Sequence, residues 1–132
     1  MNDHRARVLA KIAAAPRPTP EQVLRTRELI ARSTRNNGDL RGNNRDRAAR
    51  TYKLLVEFGD GTTCHCAYCP AILTAATLTQ DKIIPGQCGG RYVFTNLLPA
   101  CLHCNSSRRD LDAAEFIAAA LGAILDTYVL AA

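Results

Sequence analysis

Apolar positions in the first third of the chain recur at helical spacing. Val8, Leu9 and Ile12 share one side of a helix over residues 4–15, which Pro16, Pro18 and Pro20 then interrupt, because proline supplies no N–H and clashes with the preceding turn. Thr19-Pro20-Glu21-Gln22 predicts a fresh start, with Thr19 as N-cap, Pro20 at the first helical position and Gln22 placed to close a capping box. Val23, Leu24, Leu29 and Ile30 give that helix a partial apolar stripe to about Ser33. A third helix is expected from Asn44 or Arg45 to Phe58, with Leu54, Leu55 and Phe58 inward and Gly59 as its stop. A last helix is expected over 112–130, opened by Asp112 and Glu115, and its Phe116 to Leu121 run is apolar on more than one side.

In the middle of the chain the pattern changes. Residues 77–84 alternate and are rich in β-branched side chains, which predicts a strand ended by Pro85-Gly86, and Gly89-Gly90 lets the chain double back. Residues 97–100 predict a second, short or edge strand, since Pro99 cannot donate to a ladder. A helix from Cys101 or Leu102 follows and carries Cys104 and Asn105 in its first turn. The order is strand, loop, strand, helix, an α+β core with flanking helices. No internal repeat is evident.

Composition narrows this picture. At 132 residues and 47% hydrophobic content the chain supports one compact domain with an appendage, divided as a basic helical arm over 1–43 and a domain over 44–132. No apolar run approaches the ~18 residues of a bilayer span, and the first residues have no signal-peptide core, so a cytoplasmic protein away from membranes is expected. Charge is uneven: residues 1–53 hold 13 Lys/Arg against 5 Asp/Glu, a net of +8, whereas 54–132 hold 4 against 7. Eleven of those 13 cations are arginines, which clamp phosphates in two-pronged fashion. Nucleic acid suits that half better than a membrane, although a solvated helix face with a flexible link around Asn36 to Asn44 has the same composition.

Six cysteines then add chemistry. Cys66-Ala67-Tyr68-Cys69 and Cys101-Leu102-His103-Cys104 each place two thiolates close enough to share an ion, and together they offer the four sulfur ligands of a tetrahedral structural zinc. In a reducing compartment that spacing favours metal over a disulfide or redox pair. Cys64 could stand in for Cys66, but only Cys66 keeps the two-residue spacing to Cys69; Cys88 reads as a small packed residue.

With these anchors in order, residues 64–109 resemble an HNH endonuclease: Cys66/Cys69, Asp81-Lys82-Ile83-Ile84-Pro85, Gly89-Gly90, Asn96-Leu97, and Cys101/Cys104 followed by Asn105. The small, Arg-rich, cysteine-paired form is also similar to HNH proteins of actinobacterial phages, with Phe58 to Thr62 leading into the first pair. The resemblance implies a ββα-metal (His-Me finger) core that hydrolyses DNA, ahead of RNA, and for a phage protein a host-cytoplasmic setting and a packaging partner. It implies Mg²⁺ or Mn²⁺ on Asp81 and Asn105, and Asn96 holding the loop and orienting the base.

Lys82 stands where the family has its general-base histidine. An imidazole with a reference pKa of about 6.5 accepts a proton at neutral pH, whereas lysine at about 10.4 does so only if burial or nearby cations depress it. Three readings follow: an electrostatic stabiliser, a desolvated base, or an inactive zinc-stabilised core that binds nucleic acid or serves phage assembly. His65 or His103 could supply an imidazole, or simply face solvent beside the cysteines. Arg91, Arg108 and Arg109 flank the loop and helix as candidate phosphate contacts.

Overall fold

Among the described residues, three α-helices precede the strands. The computed structural model describes residues 2–32, 40–108 and 115. Most of the expected flexible link, Arg109 and the helix over 112–130 (Glu115 apart) lie outside them.

Helix α1 spans Asn2–Ala14 and stops at the proline-rich stretch. Val8 and Ile12 are buried as expected, but Leu9 is 42% exposed, since the 100° step from Val8 carries it off the narrow inward stripe. Helix α2 spans Pro20–Arg32. Its capping box forms: Gln22 N donates to Thr19 Oγ1 at 3.2 Å and Thr19 N to Gln22 Oε1 at 2.9 Å. Of the expected apolar stripe Val23, Leu29 and Ile30 are half-buried, with Val23 against Gly89, whereas Leu24 is 60% exposed and Thr26 is buried in its stead. What α2 packs on is a glycine-rich loop with free carbonyls. Thr26 Oγ1 donates to Gly89 O at 3.4 Å and Arg27 Nε to Gln87 O at 2.6 Å.

Helix α3 spans Asn44–Phe58, capped reciprocally by Asn43 and Asp46, and buries Leu54, Leu55 and Phe58. Gly59 ends it because a Cβ there would lie 1.9 Å from Thr63 O. Strands β1 (Cys64–His65) and β2 (Ile72–Leu73) pair antiparallel around the first cysteine turn. Strand β3 (Thr79–Lys82) pairs antiparallel with β4 (Leu97–Ala100), from Thr79↔Ala100 to Lys82↔Leu97. Helix α4 (Leu102–Arg108) follows at once.

The first of these strands is shorter than the 77–84 expected. Thr77 and Leu78 are taken into a turn, both donating to Thr74 O, and Ile84 N turns from the ladder to the Asn96 side chain. Pro99 is buried in mid-strand, where its carbonyl accepts from Ala67 N at 2.8 Å and ties β4 to the first cysteine turn.

One apolar core serves all of this. Val8, Ile12 and Ala15 join Leu54, Leu55 and Phe58 with Ile83, Ile84, Leu97 and Leu98, so the core draws on both sides of residue 43. Lys11 adds a 2.6 Å ion pair to Glu57. Among the described residues, no helix is long and apolar enough to cross a membrane.

Candidate active site and nucleic-acid groove

The two cysteine turns meet. The sulfurs of Cys66, Cys69, Cys101 and Cys104 all lie within 4.8 Å of one another, and Cys69 and Cys101 are 3.8 Å apart. Tetrahedral zinc with ~2.3 Å bonds to sulfur needs edges of about that length, so the donor set fits the ion in number, softness and span. Backbone N–H groups of Tyr68 and Cys101 donate to Cys66 Sγ, and that of Cys104 to Cys101 Sγ, each at 3.4 Å. Burial first, and then the neighbouring cysteines, push the Cys66 thiol up to about 11 and Cys104 upward too, so thiolates here call for a cation. Cys64 lies outside the cluster, buried and pushed up to about 11 by desolvation. Cys88 is exposed rather than packed, because its short turn over Gly86–Cys88 carries it outward.

Alternation along β3 separates its side chains into two sets. Thr79 and Asp81 face α4, where Asn105 and Arg108, three positions apart, share one side. Asn105 Nδ2 donates to Thr79 Oγ1 at 3.1 Å. Arg108 Nη1 donates to Asp81 Oδ1 at 2.6 Å, and Tyr68 donates its hydroxyl to Asp81 Oδ2. The guanidinium also reaches the carbonyls of Lys82 and, at 2.5 Å, Ile83. Asp81 is 4% and Arg108 1% exposed. Burial pushes the Asp81 carboxyl up, against the pull of Arg108, and pushes the Tyr68 phenol far up, which keeps it a donor. Three oxygens thus engage the Arg108 charge, and Arg108 and Asp81 both line a cavity of about 250 Å³ above β3.

Gln80 and Lys82 face the other way. Gln80 accepts from Arg50 Nε at 2.9 Å and donates to Arg47 O and Thr51 Oγ1, which bolts β3 to α3. Lys82 Nζ stands 4.4 Å from the Tyr92 ring centre. Burial lowers its pKa, with Arg41 pushing the same way and Tyr92 and Asp81 opposing. Neither oxygen of Asp81 is bonded to Lys82, its neighbour in sequence, since one accepts from Arg108 and the other from Tyr68.

Asn96 holds the intervening loop. Its Oδ1 accepts from Ile84 N at 2.9 Å, and its Nδ2 donates to Ile84 O and Arg91 O. Gly90 fits beneath because a Cβ would lie 1.6 Å from Ile84 O. Asn96→Ala is expected to cost about 2–3 kcal/mol in urea unfolding, because it strands the buried Ile84 amide and carbonyl.

Above β3 run two cavities, of about 500 and 250 Å³, that share Arg41, Gln80, Tyr92 and Asn105. Arg47 lines the larger and Lys82 the smaller. The Arg41 guanidinium lies 5.9 Å and that of Arg50 5.7 Å from the Tyr92 ring centre, so this one ring gathers three cations. Arg91 lines neither cavity, and neither do His65 and His103, both exposed.

Residues 66–117 match the HNH endonuclease family. No curated protein matches the chain. The HNH segment covers about two-fifths of the sequence and contains both cysteine turns, β3, β4 and α4. Members of this family are generally nucleases, which fits the basic groove above β3. Within the matched segment both Asp81 oxygens are hydrogen-bonded, one to the Arg108 guanidinium and the other to the Tyr68 hydroxyl. Residues that sequence reasoning missed are Tyr68, Tyr92, Gln80 and Arg41. Tyr68 alone carried a signal: a residue between two ligands is fixed wherever the metal fixes them.

Proposed function

We propose that this chain is an HNH-type endonuclease, with a ββα-metal core stapled by zinc, that hydrolyses phosphodiester bonds in DNA. One observation carries the reading: on the segment matching the family, Lys82 and Asn105 meet in a groove lined by Arg41 and Arg47. The duplex backbone would lie in the groove with a phosphate against Lys82. Water attacks phosphorus and gives up one proton as the P–O bond forms, the bond to one bridging oxygen breaks, and that oxygen takes up a proton as it leaves. Burial lowers the Lys82 pKa while Tyr92 and Asp81 oppose that shift; as an ammonium, Lys82 would neutralise charge developing on the phosphoryl oxygens rather than act as base. Asn105 orients the phosphate by its amide, and Asn96 keeps the loop from moving. Mg²⁺ or Mn²⁺ on Asp81 and Asn105, which would add charge neutralisation and activate water, requires Arg108 to release the carboxylate.

Plasmid nicking tests this. Zinc-loaded protein is expected to convert supercoiled DNA to open circles when Mg²⁺ or Mn²⁺ is added. A second reading, binding without cutting, draws on the closed Asp81–Arg108 pair; it wins if the protein shifts DNA on a gel yet never nicks it under any ion. Either reading predicts that Arg41→Ala and Arg47→Ala each reduce the slope of log K against log salt by about 1, measured by fluorescence anisotropy.

A further inference from the structure

We propose that Arg108 occupies the place of a divalent ion at Asp81, so that the resting site is closed to Mg²⁺ and Mn²⁺ by a built-in guanidinium. Asp81 Oδ1, Lys82 O and Ile83 O converge on the two terminal nitrogens of Arg108, an all-oxygen cradle of the kind hard cations take. The other carboxylate oxygen is taken by Tyr68. Asp81 and Arg108 both line the smaller cavity, so the pair stands in the groove wall with each carboxylate oxygen already hydrogen-bonded.

Both partners of Asp81 are fixed by the cysteine cluster. Tyr68 sits between Cys66 and Cys69, and Arg108 lies one helical turn beyond Cys104 on α4. The zinc staple thus sets the closure from two sides. A dication at Asp81 would displace a buried, hydrogen-bonded guanidinium or meet its positive charge at contact distance. Arg108 is also a positioning residue: by holding the Lys82 and Ile83 carbonyls it sets where the Lys82 side chain leaves the strand end. Opening the site therefore moves Lys82 as well.

This inference rests on the HNH reading only for the idea that an ion belongs at Asp81; its test reads metal binding, so failure of the nuclease reading is seen separately as absence of nicking. Zinc-loaded wild type, Arg108→Met and the double variant Arg108→Met/Asp81→Asn are titrated with Mn²⁺, following free Mn²⁺ by electron paramagnetic resonance. Zinc content and circular dichroism establish which variants fold. The wild type is expected to leave Mn²⁺ free, Arg108→Met to take up one equivalent, and the double variant to lose it. A wild type that binds one equivalent of Mn²⁺, lost in Asp81→Asn, overturns the proposal. So does a folded Arg108→Met that binds none. If Arg108→Met fails to fold, the wild-type titration decides alone.

Discussion

Zinc removal is expected to unfold the segment around the two strand pairs, not merely loosen it. Structural zinc in small four-ligand sites contributes an apparent ~10–16 kcal/mol at neutral pH, as much as or more than the ~5–15 kcal/mol by which whole domains are stable. The cluster joins the β1–β2 hairpin to β4 and α4, and the Cys66 and Cys101 sulfurs accept backbone hydrogen bonds that only thiolates hold well. Without a cation, burial keeps the Cys66 thiol protonated, up to about 11, and the turns lose the charge that organises them. Acid acts in the same direction, since protons compete with the metal for sulfur. Cys104→Ser, or treatment with a strong chelator, should abolish the cooperative melting transition seen by circular dichroism, with zinc content falling from one equivalent to none. A protein that melts at the same temperature after losing its metal would contradict this.

Breaking the Asp81–Arg108 pair from one side is the next largest effect. Arg108→Ala leaves a carboxylate uncompensated in the interior, and truncating one partner of a buried ion pair costs about 3–5 kcal/mol. Arg108 reaches two backbone carbonyls as well, so its loss strands these too. Removing both charges should cost less than the two single changes added together, because the desolvation penalty of each ion disappears with it. Urea unfolding of Arg108→Ala, Asp81→Ala and the double variant measures that coupling. Additive costs, or an Arg108→Ala cost below about 1 kcal/mol, would mean the pair is not the buried network described.

Much of the fold was legible because local chemistry and tertiary structure agree. Thr19 and Gln22 form the box their spacing promises, α3 begins at Asn44 and ends at Gly59, and β4 spans 97–100 as its pattern predicts. Disagreement appears where a residue's partner is remote in sequence. Leu24 has the apolarity of a core position yet faces solvent, because α2 docks through Val23, Thr26 and Arg27 onto a loop 60 residues away. At the site, the sequence pattern named Asp81, Lys82, Asn96 and Asn105 and grouped the four cysteines. It could not assign Arg108 to the interior, since an arginine near a helix end has the same sequence signature whether it faces phosphate or carboxylate. Nor could it bring Arg41 and Tyr92 to Lys82, because that meeting depends on how α3 packs across β3.

The site's location is open to one direct measurement: plasmid nicking by zinc-loaded Lys82→Ala beside wild type, at protein concentrations that saturate DNA in a gel shift. Loss of a charge that acts only on the developing phosphoryl charge should slow nicking roughly 10²-fold while binding changes little. Nicking by Lys82→Ala at the wild-type rate would contradict the account.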